Sequence, residues 1–173
     1  MKMLSTVAMA AFAAAGVAFA QAPPAGGPRP PPPPPPPSVP AMLALEAAQT
    51  ALTTCTANGY NVGASVVDSS GATRVLIGVD AARQGGLDSS IKKAFTAVTL
   101  ATPTSVTEAA AKTDDAVKAK LAADPRLFAR AGGVPILIGG KLVGAIGVGG
   151  APGGEKDEAC ALAGLAKIKD RLK

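Results

Sequence analysis

Apolar residues recur at helical spacing in three stretches of the chain. The first stretch, residues 41–58, runs into Asn58-Gly59, a typical helix end. The second begins at Asp88, which we predict to be an N-cap, and the third covers residues 155–172. The apolar faces consist of Leu45, Ala48, Leu52 and Cys55 in the first stretch, Ile91, Ala94, Phe95 and Val98 in the second, and Ala161, Leu165, Ile168 and Leu172 in the third.

Two pairs of short apolar stretches predict β-hairpins. Residues 61–68 and 72–78 flank "SSG", and residues 134–138 and 141–148 flank Gly139-Gly140. Between the second helix and the second hairpin, residues 102–130 are polar and alanine-rich, which indicates short helices broken by proline. Strands joined by tight turns are antiparallel, so the pattern predicts an α+β fold with an antiparallel sheet flanked by N-terminal, middle and C-terminal helices.

The N-terminal forty residues differ in composition from the rest. Lys2, an apolar run and Ala18-Phe19-Ala20 are typical of a secretory signal peptide over residues 1–20. Residues 21–40 include eight consecutive prolines and are predicted to be a disordered, semi-rigid linker. One domain, 41–173, follows, and we expect a periplasmic or secreted protein with no membrane span after signal removal.

Charge and residue content exclude several classes of function. The net charge is +5, and the basic residues are scattered with few aromatics between them, which disfavours nucleic-acid binding. The chain has no histidine, so Ser–His–Asp and Cys–His catalysis are excluded, and the most frequent zinc ligand is missing. We identify no catalytic residue, and the sequence does not decide whether a metal binds.

The two cysteines, Cys55 and Cys160, have two readings. An oxidising compartment favours a disulfide, whereas two buried free thiols are the alternative. We predict the disulfide, which would join the first and last helices.

The glycine-rich segment 147–154 raises the question of a phosphate loop. It matches neither G-x-G-x-x-G, because Pro152 stands at the last glycine position, nor the Walker pattern. Acidic residues follow at once, and we interpret the segment as a strand-to-helix connection whose acids cap the helix. Asp157-Glu158 and Lys93 are expected to be solvated on spacing alone, and Tyr60 to pack beside the first helix.

Four motifs together resemble one known family: "VVDSSG" (66–71), "LDSSIKKAFTA" (87–97), "TPTS" (102–105) and "GGVPILIGGKLVGAIGVGGAPGGEKDEACA" (132–161). The chain resembles the GlcG/HbpS family, a domain also seen in PduO C-terminal regions. The resemblance implies a profilin- or PAS-like sheet, assembly into homo-oligomers, and haem or a similar flat small molecule as ligand. Its motifs place ligand contacts at Asp68, Lys93, Thr96, Thr104, Gly132, Gly133 and Pro135.

One position departs from the family. Many relatives carry a histidine in the loop before "LDS", where this chain has Gly85. A haem iron would then need another ligand, and Tyr60, Met42 or a hydroxyl such as that of Thr104 would remain. The resulting hypothesis is an exported, non-catalytic small-ligand-binding protein. The alternatives are an oligomeric interaction module of the cell envelope without haem, and an enzyme acting on a small hydroxy or oxo acid.

Overall fold

The computed structural model describes residues 31–173; the predicted signal peptide and residues 21–30 of the predicted linker lie outside the described residues. Five α-helices and four strands follow one another from residue 41, ending in a short 3₁₀ turn at Lys169–Arg171. Their order is α1 (Ala41–Ala57), β1 (Gly63–Asp68), β2 (Thr73–Gly78), α2 (Gln84–Leu100), α3 (Thr104–Ala110), α4 (Asp115–Ala123), β3 (Gly133–Ile138), β4 (Lys141–Gly149) and α5 (Gly154–Ile168).

The four strands form one antiparallel sheet with the order β2-β1-β4-β3. The two predicted hairpins, β1–β2 and β3–β4, lie side by side because β1 pairs with β4, with Val66 opposite Ile146. Gly139 and Gly140 both have positive φ, +56° and +79°, as a tight two-residue hairpin turn requires. The predicted α+β class, with helices flanking a sheet of two hairpins, is confirmed.

The sheet is covered on both faces. Helix α2 packs on one face, where Val67 and Ala145 meet Ala94 and Ala97. Helices α1 and α5 pack together on the other, over a core that includes Val66, Ile136 and Ile146. The contact with α2 is close, because a Cβ on Gly147 would meet the α2 backbone. Gly147 and Gly149 of β4 therefore allow α2 to approach closely, whereas Gly144 lies against the backbone of Val67 on the neighbouring strand β1.

The packed chain includes residues just ahead of α1. Val39 is buried in the core, and the Ser69 amide donates a hydrogen bond to the Pro37 carbonyl at 3.0 Å. The end of the proline-rich segment is thus fixed to the β1–β2 turn.

Helix α2 begins earlier than predicted. Its N-cap is Arg83 rather than Asp88, and Asp88 lies inside the helix, where its carboxylate accepts a hydrogen bond from Gln84. The extra turn contains Gly86, whose missing side chain allows contact with the backbone of Gly149. That tertiary contact outweighs the low helix propensity of glycine.

A disulfide joins Cys55 of α1 to Cys160 of α5, with a Cα–Cα distance of 5.7 Å, as predicted. It closes a sequence separation of 105 residues between two helices that already share a buried interface. None of the helices within residues 31–173 is both long and apolar enough to cross a bilayer.

Candidate functional site

A buried ion pair lies where α2, β4 and α5 meet. The Lys93 ammonium donates to Asp157 Oδ2 at 2.6 Å, and the two side chains are only 4% and 3% exposed. The expectation that both residues are solvated is therefore wrong. Lys93 projects towards α5 because Gly132, which passes beside its ammonium, has no side chain.

Asp157 also supports the β4–α5 connection, because its Oδ1 accepts a hydrogen bond from the Ala151 amide at 3.0 Å. Burial raises the pKa of Asp157 above its usual value, while Lys93 and the Ala151 amide act in the opposite direction. Asp157 turns inward to Lys93 and the Ala151 amide, and the N-cap of the helix, Gly153, has no side chain that could cap it. Glu155 and Asp157 do lie in the first turn of α5, where their charge complements the helix dipole as predicted, but neither caps the helix through a side-chain hydrogen bond.

The segment before β3 is held by four polar side chains. Glu158 Oε2 accepts from the Gly132 amide at 3.2 Å, and Glu108 Oε2 accepts from the Ala131 amide at 2.9 Å. Glu158 is therefore only half-exposed and bonded, and not the fully solvated residue that its spacing predicts. The remaining two are threonines: Thr104 Oγ1 accepts from the Gly133 amide at 2.8 Å, and Thr96 Oγ1 accepts from the Phe128 amide at 2.7 Å.

A small polar cleft of about 190 Å³ opens above the ion pair. It is lined by the cations Lys93 and Arg130, by Asp157, by the Ser89 hydroxyl and the Phe128 ring, and by the backbone of residues 150–154. Arg130 is exposed, and within residues 31–173 no carboxylate forms an ion pair with it. The cleft therefore offers cations and the first amides of α5 to a ligand.

A larger cleft of about 670 Å³ lies on the other side of the same connection. Gly150 and Pro152 line both clefts and separate them. The larger one is further lined by Gly59, Tyr60, Asn61, Ala81, Arg83, Gly85 and Gly86. Tyr60 packs against the core beside α1, as expected, and Lys156 lies over its ring with the ammonium 5.3 Å from the centroid.

The structure brings some of the predicted site residues together. Lys93 lines the small cleft, with Gly132 beside its ammonium. Gly133 and Thr104 are bonded to each other, and a Cβ on Gly133 would meet the backbone of Lys93. Thr96 lies on α2 under Phe128, whereas Pro135 lies within β3 opposite Ala145, on the α2 side of the sheet. Ligand contact by these residues stays a prediction.

Asp68 is separate from both clefts. Its buried carboxylate accepts hydrogen bonds from Ser70, from the Ala72 amide and from Arg74 Nε at 2.8 Å. Burial raises the pKa of Asp68, but the hydrogen bonds from Ser70, Ala72 and Arg74 outweigh it and hold the pKa below its usual value. Asp68 closes the β1–β2 turn.

Sequence reasoning did not select Ser89, Phe128 and Arg130, which line the small cleft, or Arg83, which lines the larger one. Arg130 directly precedes Ala131-Gly132-Gly133, so the glycine motif was the one available signal. Met42, named as a candidate iron ligand, lies 74% exposed near the start of α1 and lines neither cleft.

The fold and the site together define the class of protein: a single-sheet α+β domain with two ligand-sized clefts, one on each side of the connection between β4 and α5. A family model described as "Haem degrading protein HbpS-like" matches residues 39–166. The chain belongs to this HbpS-like family, and the predicted family resemblance is confirmed. No protein of curated function matches the chain.

Solved structures agree with this assignment. A double mutant of HbpS from Streptomyces reticuli is 33% identical, with a TM-score of 0.70 over 93% of this chain and 98% of that one. The Klebsiella pneumoniae protein ORFY is 25% identical, with a TM-score of 0.71 over 76% and 90% of the two chains. A PduOC–haem complex is 22% identical, covers 76% of this chain and 95% of that one, and with a TM-score of 0.70 shows the shared fold alone.

Proposed function

We propose that this protein is an exported, non-catalytic binding protein for haem or a similar flat, carboxylate-bearing molecule. The proposal rests on the larger cleft. In this chain of the HbpS-like family, the cleft is lined by the phenol of Tyr60, the guanidinium of Arg83 and several glycines. The small-ligand assignment also draws support from a similar fold crystallised as a haem complex.

The residues of the larger cleft fit haem. Tyr60 offers a phenol oxygen, a type of axial ligand that haem proteins use, in a chain without histidine. Arg83 is exposed at the same cleft and suits the carboxylate arms, because a guanidinium pairs carboxylates in a bidentate manner. Gly85 and Gly86 leave the wall free of side chains. Bound haem would supply an iron centre, while Tyr60 would hold the iron and Arg83 would orient the ring.

Titration of the processed domain with hemin tests the proposal. We expect a saturable shift of the Soret band at one hemin per chain. Tyr60→Phe should remove the spectral signature of phenolate ligation, and Arg83→Gln should weaken binding by about tenfold, as expected for one charge-assisted contact. Arg171→Gln, an exposed arginine paired with Glu46 away from the cleft, is the matched control.

Gly85 allows a gain-of-ligand experiment. It is exposed in the first turn of α2, and a Cβ there would meet nothing within 4 Å. Gly85→His should therefore fold and bring an imidazole to the cleft, which would convert the hemin spectrum to that of a histidine complex. A featureless titration of both the parent and this variant would contradict haem binding.

The non-catalytic part of the proposal needs its own assay. The hemin complex is incubated with ascorbate in air, and the Soret band is followed. A stable band supports binding without turnover, whereas enzyme-dependent loss of the band with formation of a linear tetrapyrrole would contradict it.

Export and assembly are also proposed. The Cys55–Cys160 disulfide supports an oxidising compartment, because such bonds persist outside the cytosol. Edge strand β2 exposes Leu76 to 42%, a surface that supports assembly into a homo-oligomer. Fractionation of expressing cells, and light scattering of the purified domain, test these two points; a reduced cytosolic monomer would contradict both.

A further inference from the structure

The small cleft carries chemistry that the haem proposal does not use. The Lys93 ammonium has three N–H donors, of which Asp157 takes one, and within residues 31–173 no other acceptor bonds to it. Lys93 is 97% buried and lines the cleft, so its remaining donors have only the cleft in which to find an acceptor. A buried donor without an acceptor costs free energy that a ligand oxygen would recover.

Two further groups at the same cleft attract an anion. Arg130 stands at its rim with no carboxylate partner within residues 31–173. Gly153 and Gly154 line it at the start of α5, a helix of 15 residues whose N-cap, Gly153, has no side chain to accept hydrogen bonds from the first amides. First-turn amides and the helix dipole favour negative charge there.

We propose that the small cleft is a binding site for a carboxylate group, which would lie between Lys93, Arg130 and the first amides of α5. This inference does not depend on haem binding at the larger cleft. The carboxylate can belong to a free small acid or to an arm of a larger ligand seated next door, beyond Gly150 and Pro152.

The charge balance selects a singly charged group. Lys93 and Arg130 supply two positive charges and Asp157 one negative charge, while the Glu155 carboxylate lies over Gly153 at the mouth. The residues that line the cleft therefore carry a net charge of +1, which one carboxylate neutralises, whereas a phosphate dianion would leave excess negative charge close to Glu155. The volume, about 190 Å³, holds about six water-sized groups and suits a short acid.

The test follows backbone amide resonances of the processed domain as sodium propionate is added at constant ionic strength. We expect saturable shifts at the amides of residues 89, 130, 150, 151, 153 and 154, which line the cleft. Propionamide, which has the same shape without the charge, and inorganic phosphate should produce none. Arg130→Gln should weaken propionate binding by about tenfold, while Arg171→Gln should not change it.

A second arm identifies the source of the carboxylate. Hemin and hemin dimethyl ester are titrated into the parent domain and into Arg130→Gln. Weaker binding of hemin, but not of its ester, by the variant would assign the carboxylate to an arm of the larger ligand. Equal binding, with propionate still bound by the parent, would assign it to a free acid.

The inference is overturned if propionate causes no saturable shift at the cleft and Arg130→Gln leaves hemin binding unchanged. That result differs from failure of the proposed haem function, which would appear as a featureless hemin titration of the parent domain. Because Arg130 is exposed and its side chain makes no ion pair among the described residues, the variant should remain folded.

Discussion

Loss of the Lys93–Asp157 ion pair should destabilise the fold with a pH dependence that identifies which partner was removed. Both side chains are about 96–97% buried, and the pair connects α2 to α5 at 2.6 Å. Removal of one partner from a buried pair costs about 3–5 kcal/mol, because the other charge stays buried without compensation. Domains of this size have about 5–15 kcal/mol in total, so Lys93→Met should remain folded but be clearly weakened.

The sign of the pH effect follows from the pKa of Asp157, which burial already raises above its ordinary value of 3.8. Lys93→Met removes the nearest cation and raises that pKa further. A carboxyl with a higher pKa in the folded state binds a proton more readily there, so folding gains stability as the pH falls and loses it as the pH rises through the folded-state pKa. The deficit of Lys93→Met should therefore shrink between pH 7 and pH 4.

Asp157→Asn provides the opposite case. It leaves a buried ammonium and no carboxyl to protonate, so its deficit relative to the parent should not shrink on acidification. The double variant Lys93→Met/Asp157→Leu removes both charges and should lie within about 1–2 kcal/mol of the parent at pH 7.

Urea unfolding at several pH values measures these differences. Lys118→Met is the matched control, since Lys118 pairs with Asp115 at 2.7 Å but is 51% exposed, and it should cost less than about 1 kcal/mol. The reasoning is refuted if Lys93→Met costs no more than this control at pH 7, or if its deficit is independent of pH.

Three further expectations concern the scaffold. The double variant Cys55→Ser/Cys160→Ser should lose about 4–5 kcal/mol in urea unfolding, because the bond closes a 105-residue loop, and an unchanged midpoint would contradict this. Gly132→Ala should cost about 2–4 kcal/mol, because φ at this position is +128° and the new Cβ would lie 2.8 Å from the Cβ of Asp157. Gly85→Ala is the control: its Cβ would enter open space, so it should be neutral or should stabilise the helix by up to about 1 kcal/mol. Thermal unfolding of the two variants measures the difference. Asp68→Asn should cost about 1–3 kcal/mol at pH 7 and less below pH 3, because the lowered pKa of Asp68 gives stability that is lost as the pH falls through it. If the free energies of unfolding of the parent and the variant fall equally between pH 7 and pH 2, this explanation is wrong.

Local patterning predicted the architecture well because the sheet is made of hairpins. Alternation and a two-glycine turn are short-range signals, and Gly139-Gly140 turns at the predicted place. The start of α2 was misplaced for the opposite reason. Gln84 to Leu87 form a helical turn only because Gly86 packs on the backbone of Gly149, a contact more than sixty residues distant in sequence that no local propensity encodes.

The site was harder to predict than the fold. Spacing on α2 could not show that Lys93 is buried, because its partner Asp157 lies 64 residues away on another helix. Family motifs did select Lys93, Gly132 and Gly133, and these residues adjoin one another in space. Neither Arg130 nor Arg83 belongs to a recognisable sequence motif. Each lines a cleft only because of the way the chain runs just before β3 and just before α2.

The glycine-rich connection between β4 and α5 explains why the two clefts belong together. Gly150 and Pro152 form a wall of each cleft, and the amide of Ala151 between them is bonded to Asp157. Asp157 is in turn held by Lys93, so the position of this wall depends on the buried ion pair. A ligand carboxylate at Lys93 would share the ammonium with Asp157. It would thereby influence Asp157, which holds the connection in place through the Ala151 amide. The connection therefore has the contacts needed to couple an acid in the small cleft to a larger ligand beyond it.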